Sequence, residues 1–424
     1  MNKPIDPNLN DDLELDILNN TDDLISLENT VKSTNDTDGT PALTLNEEDK
    51  HRHSSGYHHH SHHHSSGSHH SKHHKHHSHS HSHHKKKKQK LPTAAKIAIA
   101  FLVLLLVVVI GIVGTFLFLE QKGKNSFTNV TTQTNYEEVI EHEGHKYVYN
   151  KDVVAIAFIG VDKRELGTGD AIGTAGQADA DIVLTVDTRS GRAKALSIPR
   201  DTMVDVDLYS ENNIFLRNEN MQLCLSFAYG DGKASSANNV TTSISRILYN
   251  VPINKYFVLD LDGIAPINDA IGGVTVESLY NFENLGIKVG DKVHLTGDLT
   301  ESYVRQRDMQ TIDASLNRTA RQTQYIKAFA NQLVPAVLND FSIVSRLYNT
   351  AANYSTTNLD LSNVTYLASL LVSKGVRDFE TETLQGEMKE SERTDYADYV
   401  YAEFYPDEEL TLETVLDTFY TQVD

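Results

Sequence analysis

VVAIAFIGVDKR, residues 153–164, is the stretch on which the reading of this chain turns. Its first eight positions are almost continuously apolar, without the alternation of a half-solvated strand. Such a run is expected where a strand is covered on both faces of a sheet. It ends at Gly160, and an acid and two bases follow at once: Asp162, Lys163 and Arg164. In sheets layered with helices, ligands collect beyond the carboxyl ends of strands. A charged loop in that position is either a solvated strand end or the edge of a site.

Toward the C-terminus, DIVLTVD (181–187) and RAKALSI (192–198) flank a turn that ends in Gly191, which predicts a hairpin. Helical and strand patterns then alternate. ANNVTTSISRILYN (237–250) reads as a helix, KYFVLDL (255–261) as a strand, GIAPINDAIGG (263–273) as a short helix closed by paired glycines, and VTVESL (274–279) as another strand. Thr296 is expected to cap a helix running through Tyr303, and residues 317–334 repeat Tyr325, Ile326, Phe329 and Leu333 at helical spacing. LSNVTYLASLLVSKG (361–375) and LTLETVLDTFYTQVD (410–424) are amphipathic helices expected at the edge of the core. Strands mixed with helices imply an α/β or α+β sandwich.

Toward the N-terminus the composition changes abruptly. Residues 97–119 (IAIAFLVLLLVVVIGIVGTFLFL) hold no charge over 23 positions. As a helix they reach roughly 35 Å, enough for the ~30 Å hydrocarbon core of a bilayer. Lys85–Lys88, Lys90 and Lys96 precede the span and only Lys122 and Lys124 follow it closely, so the N-terminus is expected in the cytoplasm and the C-terminal part outside. Residues 1–50 carry 13 acidic side chains against 3 lysines, too polar for a core, and are expected to be a disordered cytoplasmic tail. Residues 51–96 carry 18 of the 21 histidines and no acid, a low-complexity segment that could bind transition metals loosely. Residues 120–146 show little apolar periodicity and read as a stalk before a domain at 147–424.

Beyond residue 96 the chain holds 45 acidic against 26 basic side chains, a balance that argues against nucleic acid as a partner. Any anion must then be held by a local cluster of arginines. The one cysteine, Cys224, excludes an internal disulfide and is expected in the core.

Four clusters could carry chemistry. The first is the loop of Asp162, Lys163 and Arg164. In the second, Asp179 and Asp181 enter a strand behind a glycine-rich loop; two carboxylates from neighbouring strands would suit Mg²⁺, a hard cation that keeps waters for phosphates. The third is Pro199-Arg200-Asp201. The fourth runs through Arg305, Arg307, Asp308, Asp313, Arg318, Arg321 and Gln322. Converging guanidinium forks match the oxygens of a phosphate in pairs and stay charged at any working pH, whereas dispersed ones are a salt-bridged surface.

GVDKR, GQAD before an apolar strand, SIPRD, AYGDG and YVRQRD followed by NRTARQ occur in the order and approximate spacing of LytR-CpsA-Psr (LCP) proteins, which residues 153–334 resemble. The resemblance implies an α/β/α sandwich with a hydrophobic tunnel for a polyprenyl chain, exported behind a single membrane helix in a Gram-positive type of cell. It implies a phosphotransferase that moves an anionic glycopolymer, such as teichoic acid or capsule, from a polyprenyl pyrophosphate carrier to peptidoglycan as a phosphodiester. Asp162 and Asp179 are then the Mg²⁺ carboxylates, Asp179 being preferred to Asp181 because it keeps the family distance to SIPRD. Arg200, Arg305 and Arg307 form the pyrophosphate clamp, with Asp201 orienting Arg200 or taking the proton of the attacking hydroxyl. Arg164, Arg318, Arg321 and Gln322 complete the substrate contacts. Gln177 departs from the arginine of many members, and Ser315 stands where an acid is common, with Asp313 nearby as a substitute. The competing readings are a hydrolase acting on the same pyrophosphate and a non-catalytic lipid-glycan binding or envelope-sensing protein.

Overall fold

The computed structural model describes residues 93–128, 137–167, 171–210, 212, 214–306, 312–375, 379–391 and 402–424. The acidic segment 1–50 and residues 51–92 of the histidine-rich segment lie outside the described residues, as does Arg307.

Helix α1 (Thr93–Thr128) contains the uncharged run. Its stretch Ile99–Phe127, 29 residues that include an 18-residue window of mean hydropathy 3.2, is long and apolar enough to cross a membrane once. The helix does not stop at residue 119. Its last turns pack on a later helix, so the first part of the expected stalk is regular structure. The second part is too: β1 (Val139–His142) and β2 (His145–Tyr149) form a hairpin around Glu143 and Gly144, both at positive φ. These strands are only half-buried, which is why their apolar alternation is faint in the sequence.

The core is a six-stranded mixed sheet. At its centre β3 (Val153–Val161) runs antiparallel to β4 (Ala178–Asp187), which turns back into β5 (Ala193–Ile198), as the apolar runs and Gly191 predict. A second hairpin, β6 (Met203–Tyr209) with β7 (Phe215–Gln222), and helix α2 (Ala234–Ile247) follow. Strand β8 (Lys255–Leu259) then joins β3 in parallel.

Helix α3 (Ile264–Asp269) leads to the small antiparallel pair β9 (Val274–Glu277) and β10 (Lys292–Leu295). Helix α4 (Asp298–Arg305) is capped by Gly297, not Thr296. Gly297 takes φ 53°, and its N–H is held by the Asp269 carboxylate at 3.1 Å, so a residue from another element does the work expected of a local hydroxyl. Helices α5 (Ala314–Asn339), α6 (Ser342–Ala351) and α7 (Leu361–Lys374) follow, with β11 (Ser355–Thr357) between the last two. The chain ends with β12 (Phe379–Thr383), the pair β13 (Gly386–Glu390) and β14 (Ala402–Pro406), helix α8 (Glu408–Phe419) and β15 (Tyr420–Gln422). The sheet order is β11-β8-β3-β4-β5-β12, and β15 completes a separate small sheet with β1 and β2.

Strand β3 is covered on both faces, as its composition requires. Ala157, Ile159 and Val161 enter one apolar core with Val206 of β6, Val240 of α2 and Phe419 of α8. Val154 and Ile156 enter another with Leu359, Phe127 of α1 and Leu367 of α7. Cys224 is buried in the first core, as expected. A third cluster, built on Phe282, Tyr303, Val304 and Val337, joins α4, α5, α6, α7 and the β9–β10 pair.

Candidate active site

The charged loop after β3 is fastened to the entrance of β4. The N–H of Asp162 donates to the Gln177 carbonyl at 3.2 Å, and the Gln177 N–H donates to Asp162 Oδ1 at 2.7 Å. Gly176 makes this approach possible: its φ is 97°, and a Cβ there would lie 2.7 Å from the Lys163 side chain and 3.1 Å from Asp162 Oδ1. Burial, and after it the nearby Asp179 carboxylate, raise Asp162 above the ordinary carboxyl range.

Asp179, on β4, is the hub. Arg200, at the end of β5, donates to one of its oxygens, and Arg318, on the first turns of α5, donates to the other at 2.8 Å. Gln322, one turn along α5, reaches the Asp179 carbonyl at 3.5 Å and the Val304 carbonyl at 3.3 Å. The second terminal nitrogen of Arg200 donates to Gln177 Oε1 and lies 3.0 Å from Cys224 Sγ. Burial pushes that thiol up to about 12, so it is a packing partner of Arg200 and not a thiolate nucleophile. Gln177, where many members of the resembled family carry arginine, here accepts a hydrogen bond from an arginine.

The two arginines are only 6% and 4% exposed, yet much of their donor capacity is unused. Arg318 Nε and Nη2 are buried without a hydrogen-bond partner, as is Arg200 Nε, which lies 3.4 Å from Asp201 Oδ1. Buried guanidinium N–H groups left unmet are costly, and an anion with several oxygens satisfies them. Asp201 Oδ2 and the Ser315 hydroxyl are also buried and unmet. Asp313 stands at the N-cap of α5 without making a side-chain cap bond.

Sequence reasoning undervalued Asp181. It follows Asp179 by two residues across the register shift at Gly160/Val161, is 1% exposed, and neither carboxylate oxygen has a hydrogen-bond partner among the described residues. Burial raises it well above the ordinary carboxyl value, against the opposing pull of Arg200. A carboxyl whose charged form is disfavoured by burial therefore lies close to the Asp179–Arg200 pair. The only local signal was the pairing of two acids at the start of a strand entering the core.

Arg164 and Arg305 stand apart from this nest but together. Glu301 of α4 accepts from Arg164 at 3.0 Å and from Arg305 at 2.7 Å, and Asp262 also accepts from Arg164. Both arginines are exposed, with 60% and 47% of their side-chain surface open, and both can turn to a substrate. Arg321 takes another direction. Its Nε donates to the Tyr303 carbonyl at 3.0 Å, its Nη1 to the Asn317 carbonyl at 3.3 Å, and its guanidinium lies 4.8 Å from the centre of the Tyr280 ring. One nitrogen, Nη2, stays buried and unmet.

Asp162 and Asp179 fit a divalent cation of the Mg²⁺ kind as a two-carboxylate site. The two acids crowd one another in a poorly solvated pocket, and a carboxylate that accepts from arginine keeps lone pairs for a metal. Among the described residues no third His, Cys, Asp or Glu joins them. Mg²⁺ tolerates that, because substrate phosphates and waters supply its remaining oxygens.

A family model described as the LytR_cpsA_psr family matches residues 113–408. The polyisoprenyl-teichoic acid–peptidoglycan teichoic acid transferase TagU of Halalkalibacterium halodurans is 31% identical over 184 residues, which are 43% of this chain and 54% of that protein. The TagU of Enterococcus faecalis is 25% identical over 221 residues, 52% of this chain and 66% of that protein. The alignments thus span between 54% and 66% of the length of these relatives. Among solved structures, Bacillus subtilis TagV aligns with 63% of this chain and 96% of its own at 20% identity, with a TM-score of 0.48. TagT bound to LI-WTA aligns with 63% of this chain and 90% of its own at 18% identity, with a TM-score of 0.45. The family model covers all the acids and arginines described above, and the chain belongs to the LytR_cpsA_psr family.

Proposed function

We propose that this protein transfers an anionic glycopolymer from a polyprenyl pyrophosphate carrier to peptidoglycan, forming a phosphodiester. The observation that carries the reading is the nest of Arg200 and Arg318, two buried guanidiniums that share one carboxylate and keep N–H groups unmet. Such a nest calls for a polyanion small enough to be enclosed, and a diphosphate answers that description. Membership of the family and the TagU relatives support it. A chain anchored by α1, with its N-terminus in the cytoplasm and its catalytic part outside, would meet a donor that never leaves the bilayer.

Phosphoryl transfer is catalysed chiefly by positioning and by neutralising charge. Arg200 and Arg318 bind the phosphate oxygens through the donors now unmet, and Asp201 holds the Arg200 fork in plane. Arg164 and Arg305, released from Glu301, close on the outer phosphate, where Arg307 is the further contact that the motif supplies. Asp162 and Asp179 would hold Mg²⁺, which supplies charge neutralisation at the bridging oxygens when bound. The sugar hydroxyl of the acceptor passes its proton to Asp201 as its oxygen bonds to the glycan-side phosphorus, the bond from that phosphorus to the bridging oxygen breaks, polyprenyl phosphate leaves with the bond electrons, and Asp201 then releases the proton to water. Arg321 is assigned to holding α4 against α5 and no longer to direct substrate contact.

The test uses the full chain in nanodiscs with a lipid-pyrophosphate glycan, with and without soluble peptidoglycan fragments. The expected result is polymer joined to the fragment, with polyprenyl phosphate released faster when acceptor is present. Release that ignores the acceptor and yields free polymer phosphate would establish hydrolysis instead, and no turnover with intact donor binding would establish a binding protein.

A further inference from the structure

Between α5 and the β9–β10 pair lies a groove of about 390 Å³ whose walls are polar and apolar in nearly equal measure. It is built by two struts. Gln324 Nε2 donates to the Glu277 carbonyl at 2.7 Å, and Gln332 Nε2 reaches the Ile271 carbonyl at 3.5 Å. The two glutamines are eight residues apart on one helix, roughly 12 Å along its axis. Ala328 lies halfway between them, and its small side chain leaves the space open.

The opposite wall is a strand edge. Ser278 exchanges hydrogen bonds with the β10 side of the pair, its N–H with the Asp291 carbonyl and its carbonyl with the Gly290 N–H, both at 2.8 Å. Main-chain groups alternate along a strand, so those of Glu277 and Thr275 point the other way, toward α5. The Gln324 bond to the Glu277 carbonyl agrees with this. The N–H of Glu277 and both main-chain groups of Thr275 therefore face the groove. Lys327 and Asn331 stand exposed on the helical rim, with the Glu277 carboxylate and His294 across from them. Among the described residues no Phe, Tyr or Trp lines the groove, so it lacks the broad stacking platform on which a sugar ring settles.

We infer that this groove is a subsite for a short extended peptide bearing a free carboxylate. The strand edge supplies alternate donors and acceptors in the manner of strand addition, Lys327 pairs with the carboxylate, and Ala328 leaves room for small side chains. This inference rests on the proposed transfer to peptidoglycan, whose peptide branches have that chemistry. Arg321 precedes Gln324 by one turn of α5 and contacts Tyr303 of α4, so a peptide in the groove holds its attached glycan beside the catalytic arginines. The groove thus supplies acceptor recognition, distinct from the donor site.

The test measures binding of a soluble disaccharide-tetrapeptide wall fragment, the same disaccharide without peptide, and the peptide alone, to the full chain in nanodiscs. The expected result is that peptide-bearing probes bind, that Lys327→Glu and Ala328→Trp each raise their Kd at least tenfold, and that Lys327→Arg keeps binding. Acceptor-free release of polyprenyl phosphate stays at wild-type level in all three variants, which reports an intact fold and donor site. Equal affinity for the peptide-free disaccharide, or an unchanged Kd in both disruptive variants, overturns the inference even where transfer proceeds. Fragment binding that follows these variants in a protein that never joins polymer to any acceptor overturns the transferase reading and leaves the groove assignment standing.

Discussion

Arg318 donates to Asp179 at 2.8 Å across 139 residues of chain, and Arg200 holds the other oxygen of the same carboxylate. The acid is therefore the point at which the strand entrance, the end of β5 and the start of α5 are locked together. Removing a member of such a buried ionic group leaves charge uncompensated and costs about 3–5 kcal/mol when nothing else answers it. Here Asp179 keeps Arg200, so Arg318→Met is expected to lose about 1–3 kcal/mol of stability and nearly all transfer. Arg318→Lys should melt closer to wild type yet still be inactive, because a single ammonium cannot serve Asp179 and a phosphate at once. Full turnover in the lysine variant would remove Arg318 from the anion site.

Arg305 gives the opposite signature. It is exposed and, among the described residues, pairs with Glu301, four residues earlier on α4. Such pairs contribute at most about 1 kcal/mol, so Arg305→Ala should leave the melting temperature nearly unchanged. Turnover should fall by about two to three orders of magnitude, the usual effect of deleting one preorganised charge donor. Paired melts and rate measurements check this, and an active variant would mean that Arg305 serves the surface alone.

Asp260 provides a pH signature away from the catalytic nest. It closes β8, is buried, and accepts from the Gly263 N–H at 2.9 Å. Burial raises its carboxyl from 3.8 to about 6. Between those values the unfolded chain has released the proton that the folded chain keeps, so stability falls as pH rises through the interval and stays lower above it. Asp260→Asn preserves the cap and removes the titration. It should be more stable than wild type at pH 7 by about 1–3 kcal/mol and about equal at pH 4, measured by denaturant melts at both values. A difference that does not change with pH would contradict the assignment.

The C-terminal end of α1 is docked and not merely tethered. Lys122 of α1 pairs with Asp360 at 2.7 Å, Glu120 accepts from Ser369 at 2.9 Å, and the rings of Phe127 and Tyr366 lie 6.0 Å apart. Gly123 sits directly on the Ser362 carbonyl, where any Cβ would collide with backbone. Gly123→Leu should lift this end of α1 off α7 and open its turns at 120–128 to limited proteolysis, while Lys122→Ala, which removes an exposed pair, should cost about 1 kcal/mol or less. Equal protease resistance in Gly123→Leu and wild type would argue for a loose stalk.

The readable part of this protein is the part governed by neighbours in sequence. The apolar runs of β3, β4 and β5, the turn at Gly191 and the helical spacing of Tyr325, Phe329 and Leu333 express backbone geometry and burial within one element, and each forms where its pattern predicts. The arginines and acids of the site were legible as residue types at strand and helix ends for the same reason. The cap of α4, the strand in the expected stalk and the helical continuation of α1 were not, because Asp269, Tyr420 and Ser362 act on them from other elements.

Direction in space was decided by packing alone. Arg318 and Arg321 stand three apart on one helix and only about 60° apart around its axis, yet the first turns to Asp179 and the second to Tyr303 and Tyr280, because different elements pack against each long side chain. Asp181 was set below Asp179 on spacing alone, and only the closed sheet shows that it is buried. A one-dimensional pattern specifies which residues share an element and a face, whereas the partner waiting on that face, and with it the charge state and the role of each side chain, is set by chain brought from more than a hundred residues away.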